Sequence, residues 1–395
     1  MFFSHDKSHS RSRSLRVLLC SVFVGSAFLP MSNLEYLPAV SLAQAATLDT
    51  VNLSDADFSV FKPNPKKTSK FEYSVWDDAL EKVVLDFGPS TRLRAKKPAP
   101  GIGSRFVRGH KSAYRLEGSR FTFEFITDDY RQGLTDYRQD LQAIATDYDI
   151  TQFPKNEQLA FWINLHNVAV LEKIAHNYPV QRPDTIKLKL EGEKIPLDQA
   201  RFMEIKGQRI SLEDIRTKIV FPNWTNDNVI YGFFKGEIGS PSLVSYAYTG
   251  ENVERLLNQN ADDFVNSLRG FNLGSSTKYV SKIYEEAAPY YFQSWETDIQ
   301  NHLTRYANET VKAELQKSYP FRFDKYDNMI ADISGGRRLG ASGAPTNHDG
   351  LSFETQRLLN EVRRKREFLI RRGIIKEKKG YVIIEDLVPE EDKEN

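Results

Sequence analysis

Cysteine is all but missing: the 395-residue chain has one, Cys20, within its first 45 residues. A chain that loses those residues has no thiol nucleophile, no thiolate metal site and no disulfide. Cysteine proteases, zinc ribbons and thiol oxidoreductases are then excluded. Long apolar runs are missing too. None reaches the ~18–20 residues of a membrane-spanning helix, so the body of the chain is expected to be soluble. Nor does one sign of charge prevail: 54 Lys and Arg face 53 Asp and Glu, a formal +1. That balance gives no global electrostatic footprint, and no nucleic acid is expected. The five histidines beyond residue 45 include no i,i+4 pair, and no D-x-D-x-D-G loop occurs, so neither a metal nor a cofactor is expected.

What is present begins with an export pattern. Lys7, Arg11, Arg13 and Arg16 form a basic region, residues 17–29 an apolar stretch of 13, and Pro30 ends it. Ala43-Gln44-Ala45 is an A-x-A cleavage site. Residues 1–45 are therefore read as a signal peptide of a secreted or periplasmic protein, with a transit peptide into an organelle lumen as the alternative. Cleavage there leaves 50 basic and 51 acidic groups.

Periodicity divides the rest. Residues 46–110 read as a lead-in, extended over 46–70, with a first helix over 75–87 where Trp76, Leu80, Val83, Val84 and Phe87 recur at helical spacing. Residues 92–105 form a basic Pro/Gly loop. A core is expected over 111–320. In it, 121–125 alternate as a strand does, 134–148 read as a helix, and 154–178 are apolar on nearly every side, the pattern of a buried helix. Asn164, His166 and Asn167 stand in the middle of that helix, so they are either hydrogen-bonding posts or the floor of a site. Short strands are expected at 186–195, 202–210 and 229–235. Ser211 opens a helix as its N-cap, and residues 236–241 make a tight irregular loop. Helices near 249–268 and 295–319 and a strand–helix pair near 279–292 follow. Residues 334–350, with five glycines, read as a linker. Residues 351–388 then give a basic amphipathic helix over 351–372 and a hairpin at 374–384. The mixed order without βαβ regularity points to an α+β fold: a helix-rich core around a small, mostly antiparallel sheet, with the basic helix and hairpin at the C-terminus.

The run Leu159-Ala160-Phe161-Trp162-Ile163-Asn164-Leu165-His166-Asn167 resembles the AFWINLYNA signature of the DUF547 family, a domain of uncharacterised function. Ser211–Ile215 is similar to its SLDDIE segment, Ile230–Leu243 to its HFALVCGAxSCPPL segment, and Ser281–Tyr284 to its LSKIF segment. The resemblance spans roughly 150–310 and implies the family's fold. The departures fall on chemistry-bearing positions. Ile230 stands where the pattern has His, Lys235 and Ser240 where it has Cys, His166 where it has Tyr, and Arg216 where it has an acid. Chemistry that a His and a Cys would carry in relatives does not transfer.

Two functions remain. One is a non-catalytic binding or structural protein, with Asn164, Asn167, Glu213 and Lys235 as candidate ligand contacts. The other is a degenerate or serine-based hydrolase-like enzyme on the 236–241 loop, with Ser240 as nucleophile, His166 as base and Glu237 or Glu213 as its orienter. Ser240 lacks the second glycine of a G-x-S-x-G elbow. The C-terminal helix adds a possible anionic partner surface: residues 357–379 hold ten basic and three acidic groups, with Arg357, Arg364 and Arg371 seven apart. Leu358, Leu359, Val362 and Leu369 are expected to dock on the body or on the hairpin, leaving the arginines outward.

Overall fold

The computed structural model describes residues 57–100, 105, 107, 109–324, 326–337 and 351–376. The signal over 1–45, most of the Gly-rich linker and nearly all of the C-terminal hairpin lie outside the described residues.

After a 3-10 turn at Phe58–Phe61, α1 (Ser74–Val83) runs straight into β1 (Val84–Asp86), which pairs antiparallel with β2 (Ser119–Phe121). The helical spacing over 75–87 thus ends in a strand. Next come α2 (Asp128–Asp147) and α3 (Lys155–Asn177), packed together. α3 is the core helix: every residue from Glu157 to Glu172 is buried, and Trp162 meets Phe61 and Phe161 edge-on. Two hairpins follow, β3 (Lys187–Leu190) with β4 (Glu193–Pro196), and β5 (Met203–Ile205) with β6 (Gln208–Ile210). The expected single strands at 186–195 and 202–210 fold back because Glu191-Gly192 and Lys206-Gly207 take positive φ at both turn positions, the geometry of tight hairpins.

Ser211 caps α4 (Leu212–Asp214) in a capping box with Asp214, and the helix continues through a π stretch (Ile215–Val220) into α5 (Phe221–Asn223). Beyond α6 (Val253–Val265), β7 (Phe271–Leu273) and β8 (Lys278–Val280) pair antiparallel. Then come α7 (Ile283–Tyr291), α8 (Trp295–Tyr306) and α9 (Glu309–Leu315), and β9 (Phe321–Phe323) adds parallel to β8. The expected helix at 295–319 is two helices, because Asn308 caps a new one on the Val311 N–H. The last element is α10 (Phe353–Arg371). This is an α+β fold, and the strands among the described residues lie in four small sheets. One apolar cluster runs from Phe61 to Ala331.

Three further expectations change because side chains take over backbone groups there. Residues 121–125 are not one strand; after Phe121 the chain turns into a 3-10 segment, and the buried Asp332 carboxylate accepts the Phe123 N–H at 3.2 Å. Residues 229–235 are not a strand either, but a 3-10 turn at Asp227–Gly232 followed by buried chain. There Asn167 on α3 donates to Gly232 O and accepts from Phe234 N–H, while Asn260 on α6 donates to Tyr231 O. The start of the linker belongs to the core: Ser334–Gly336 is buried, with Ser334 and the Gly336 N–H on Asp332.

Candidate functional site

The centre of the site is Arg216, which the π stretch after α4 delivers into the core at 1% exposure. A buried guanidinium needs partners for all its donors. It has them: Asp198 accepts in a fork at 2.8 and 2.6 Å, Glu286 from α7 accepts at 2.7 to 3.2 Å, and His166 lies 2.9 Å from Nη1. Lys235 joins from the other side, 3.3 Å from Glu286 and 3.9 Å from Asp198. Two cations thus balance two carboxylates. Arg216, with Lys235 behind it, holds Glu286 down at about 2 and lowers Asp198 further; Asp198 is 42% exposed, so water shares in its stabilisation.

His166 is neutral by construction. Arg216 only donates, so Nε2 must accept, which puts the proton on Nδ1 facing the Asn167 carbonyl oxygen at 3.2 Å. Burial, and then Arg216, push its pKa down to about 3. Neither Glu237 nor Glu213 bonds it. Ser240 is fully buried, and its hydroxyl donates to main-chain oxygens of Glu237 at 2.7 Å and Pro241 at 3.2 Å, not to His166. Arg269 donates to the Ser240 and Ile238 carbonyls and fixes the turn.

The two asparagines are tethers. Asn164 donates to Tyr248 O at 2.7 Å and accepts the Tyr248 N–H at 3.0 Å, and Asn167 does the same for Gly232 and Phe234. Their amides are consumed by backbone; of the four candidate ligand contacts, Lys235 lines the cavity beside the cluster. Glu213 stands at the edge of the ion cluster, its pKa raised by burial and then by Asp198.

That cavity, about 330 Å³, opens above the cluster. Val170, Leu197, Leu212 and Ile283 supply apolar walls, and Lys235, Glu237, Lys282 and Tyr326 supply polar ones. Gly236 sets up the loop: at φ +79°, a Cβ there would lie 2.1 Å from Ile174 Cδ1. The strand-like stretch 327–331 then clamps the loop through Ile238 N–H to Met329 O and Gly239 N–H to Asp327 O, which places Tyr326 beside Glu237. Glu237 is 5% exposed, and the buried Tyr326 hydroxyl, which makes no other bond, faces its carboxyl. Burial pushes Glu237 up to about 8 against the pull of Lys235. Among the described residues no three His, Cys, Asp or Glu side chains are placed to hold a metal ion.

Sequence reasoning found His166, Lys235 and Glu237 but not what joins them. Arg216 carried a signal, a charge reversed against the family pattern. Glu237 carried one too, since the same pattern has alanine there. Asp198, Glu286 and Tyr326 lie in segments with no motif, and only the fold brings them in.

A helix-centred α+β domain with a charge cluster under a small cavity is the class that fold and site define. Residues 150–265 match the family model described as "Protein of unknown function, DUF547", so the chain carries a DUF547 domain over that stretch. The match stops before the Ser281–Tyr284 segment. No curated protein and no solved structure matches the chain.

Proposed function

We propose that this chain is an exported, non-catalytic binding protein of the DUF547 type, secreted or periplasmic, which holds a small ligand or envelope component in the cavity beside Glu237. The observation that carries the reading is the Glu237 carboxyl itself: buried, on a cavity wall, in no ion pair among the described residues, and faced by the neutral Tyr326 hydroxyl. Such a group is costly unless something pairs with it. Held near 8, it keeps its proton at neutral pH and donates. The group it fits is therefore an acceptor, a carbonyl or carboxylate, which Lys235 also attracts, on a molecule whose apolar part meets Val170, Leu197 and Leu212. The non-catalytic part of the reading is supported by the commitments of Ser240 and His166 to backbone, Asn167 and Arg216.

The second reading is a serine-based hydrolase-like enzyme on the 236–241 loop. Glu237 favours it in one respect, because a carboxyl protonated at pH 7 is a ready general acid.

The test is a thermal-shift and calorimetric screen with small carboxylates and amides, run beside hydrolysis assays on activated esters. A ligand should stabilise the protein at neutral pH, lose its effect as pH rises through about 8, and fail to stabilise Glu237→Ala. Turnover abolished by Ser240→Ala or His166→Ala would overturn the binding reading in favour of the enzyme.

A further inference from the structure

We propose that the groove between α10 and residues 91–99 is a docking surface for an anionic phospholipid bilayer. This face is separate from the Glu237 cavity. The groove measures about 670 Å³, and its walls carry seven Lys and Arg against one acid, Glu361. Glu361 is already taken: Arg115 holds it in a fork at 2.7 and 3.0 Å. Lys365 is turned inward onto the carbonyls of Gly88 and Leu116. Those bonds, with Leu358 and Leu369 buried at 1% each, fix α10 on the body, so the groove is preformed. What remains is unspent charge. Arg94, Lys96, Lys97 and Arg364 are exposed, and among the described residues none of them is in an ion pair.

Charge alone would make only a solvated face. The distinguishing feature is apolar. Leu93 at 66% and Phe353 at 64% are the two most exposed large hydrophobic side chains among the described residues, and both stand in the walls of this groove. Ile374, at 58%, follows just beyond the end of α10. A soluble polyanion would satisfy the cations and leave Leu93 and Phe353 in water. A neutral bilayer would cover the apolar pair and leave the cations without counter-charge. An anionic bilayer does both: lysine and arginine stems lie along the interface with their heads at the phosphates, while Leu93 and Phe353 enter the acyl boundary. Sequence pointed to Arg357, Arg364 and Arg371; the groove keeps the first two, replaces Arg371 by Arg94, Lys96 and Lys97, and adds the apolar pair.

The test is co-sedimentation of the purified chain with vesicles of phosphatidylcholine alone and of phosphatidylcholine with phosphatidylglycerol, at low and at physiological salt. Binding should require phosphatidylglycerol and fall steeply with salt, as contacts screened within ~8–10 Å do. Leu93→Ser and Phe353→Ser should each weaken it on the order of tenfold at unchanged melting temperature. The triple variant Lys96→Glu, Lys97→Glu, Arg364→Glu should abolish it. No binding, or equal binding to neutral vesicles, overturns the proposal. So does binding that the Leu93 and Phe353 variants leave intact and that soluble polyphosphate reproduces, since the partner would then be a polyanion without an apolar phase.

Discussion

Replacing Glu237 by Gln should make the protein more stable, by an amount that pH controls. The folded carboxyl titrates at about 8 against an ordinary value of 4.5. Between those two values the unfolded chain has lost a proton that the folded chain keeps, so stability present below 4.5 is lost as pH rises toward 8. At pH 7 the penalty is about 3 kcal/mol, from ~1.4 kcal/mol for each unit between the unfolded pKa and the working pH. Glutamine has nearly the same shape and does not titrate, so the variant escapes the penalty. Urea unfolding followed by circular dichroism, from pH 4 to pH 9, measures this directly. The two proteins should coincide near pH 4 and separate above it, with the variant ahead by about 3 kcal/mol at pH 7 and a melting temperature ~5 °C or more higher. Parallel stability curves across the whole range would refute the argument, and so would a variant less stable at pH 7. The first result would mean that the carboxyl titrates alike in the folded and unfolded chain, the second that it is ionised and paired in the folded protein.

Arg216→Met should cost ~3–5 kcal/mol, because Glu286 loses the partner that keeps it ionised in a buried place; adding Glu286→Leu should recover part of that loss, and a purely additive double variant would count against the ion cluster. Trp162→Ala, at 0% exposure, should cost ~3–5 kcal/mol in denaturant titration. Asn164→Leu strands the Tyr248 N–H and carbonyl and should cost ~2 kcal/mol or more; a neutral result would free Asn164 for a ligand. His110 and His166 are both pushed down to about 3 by burial. Their folded values lie below the unfolded 6.5, so stability present above pH 6.5 should be lost as pH falls toward 3, at ~1.4 kcal/mol per unit for each histidine. His166→Gln should flatten that slope; an unchanged acid limb would argue that His166 is solvated.

Elements whose hydrogen bonds are internal were legible in the sequence, and elements whose bonds come from elsewhere were not. α2, α3 and α10 satisfy their own backbones, and their apolar residues told that each is there, although α2 begins at Asp128 and not at 134. Residues 229–235 have strand composition, but their carbonyls and amides are served by Asn167 and Asn260, residues far away in the chain. Ser334–Gly336 has linker composition, yet Asp332 draws it inside. Lys365 has the composition of a solvent-facing helix position and is buried, because two main-chain carbonyls from other loops need a donor there. In each case the deciding partners are polar groups, side-chain or main-chain, that apolar spacing does not reveal.

The same logic explains the site. His166, Arg216, Lys235 and Glu237 each depart from the pattern their segments resemble, and in the fold they meet under and around one cavity. The departures also require one another. A neutral histidine at position 166 needs a donor at Nε2, which Arg216 supplies. A buried arginine needs carboxylates, which Asp198 and Glu286 supply, and two carboxylates leave one charge over, which Lys235 cancels. Glu237 is outside that balance. Arg216, Lys235, Asp198 and Glu286 neutralise each other, and Glu237 stays protonated beside the Tyr326 hydroxyl. A buried carboxyl that stands outside the ion balance and faces a cavity is placed to meet something that enters it, and this is why Glu237, rather than Ser240 or His166, is where binding should be sought.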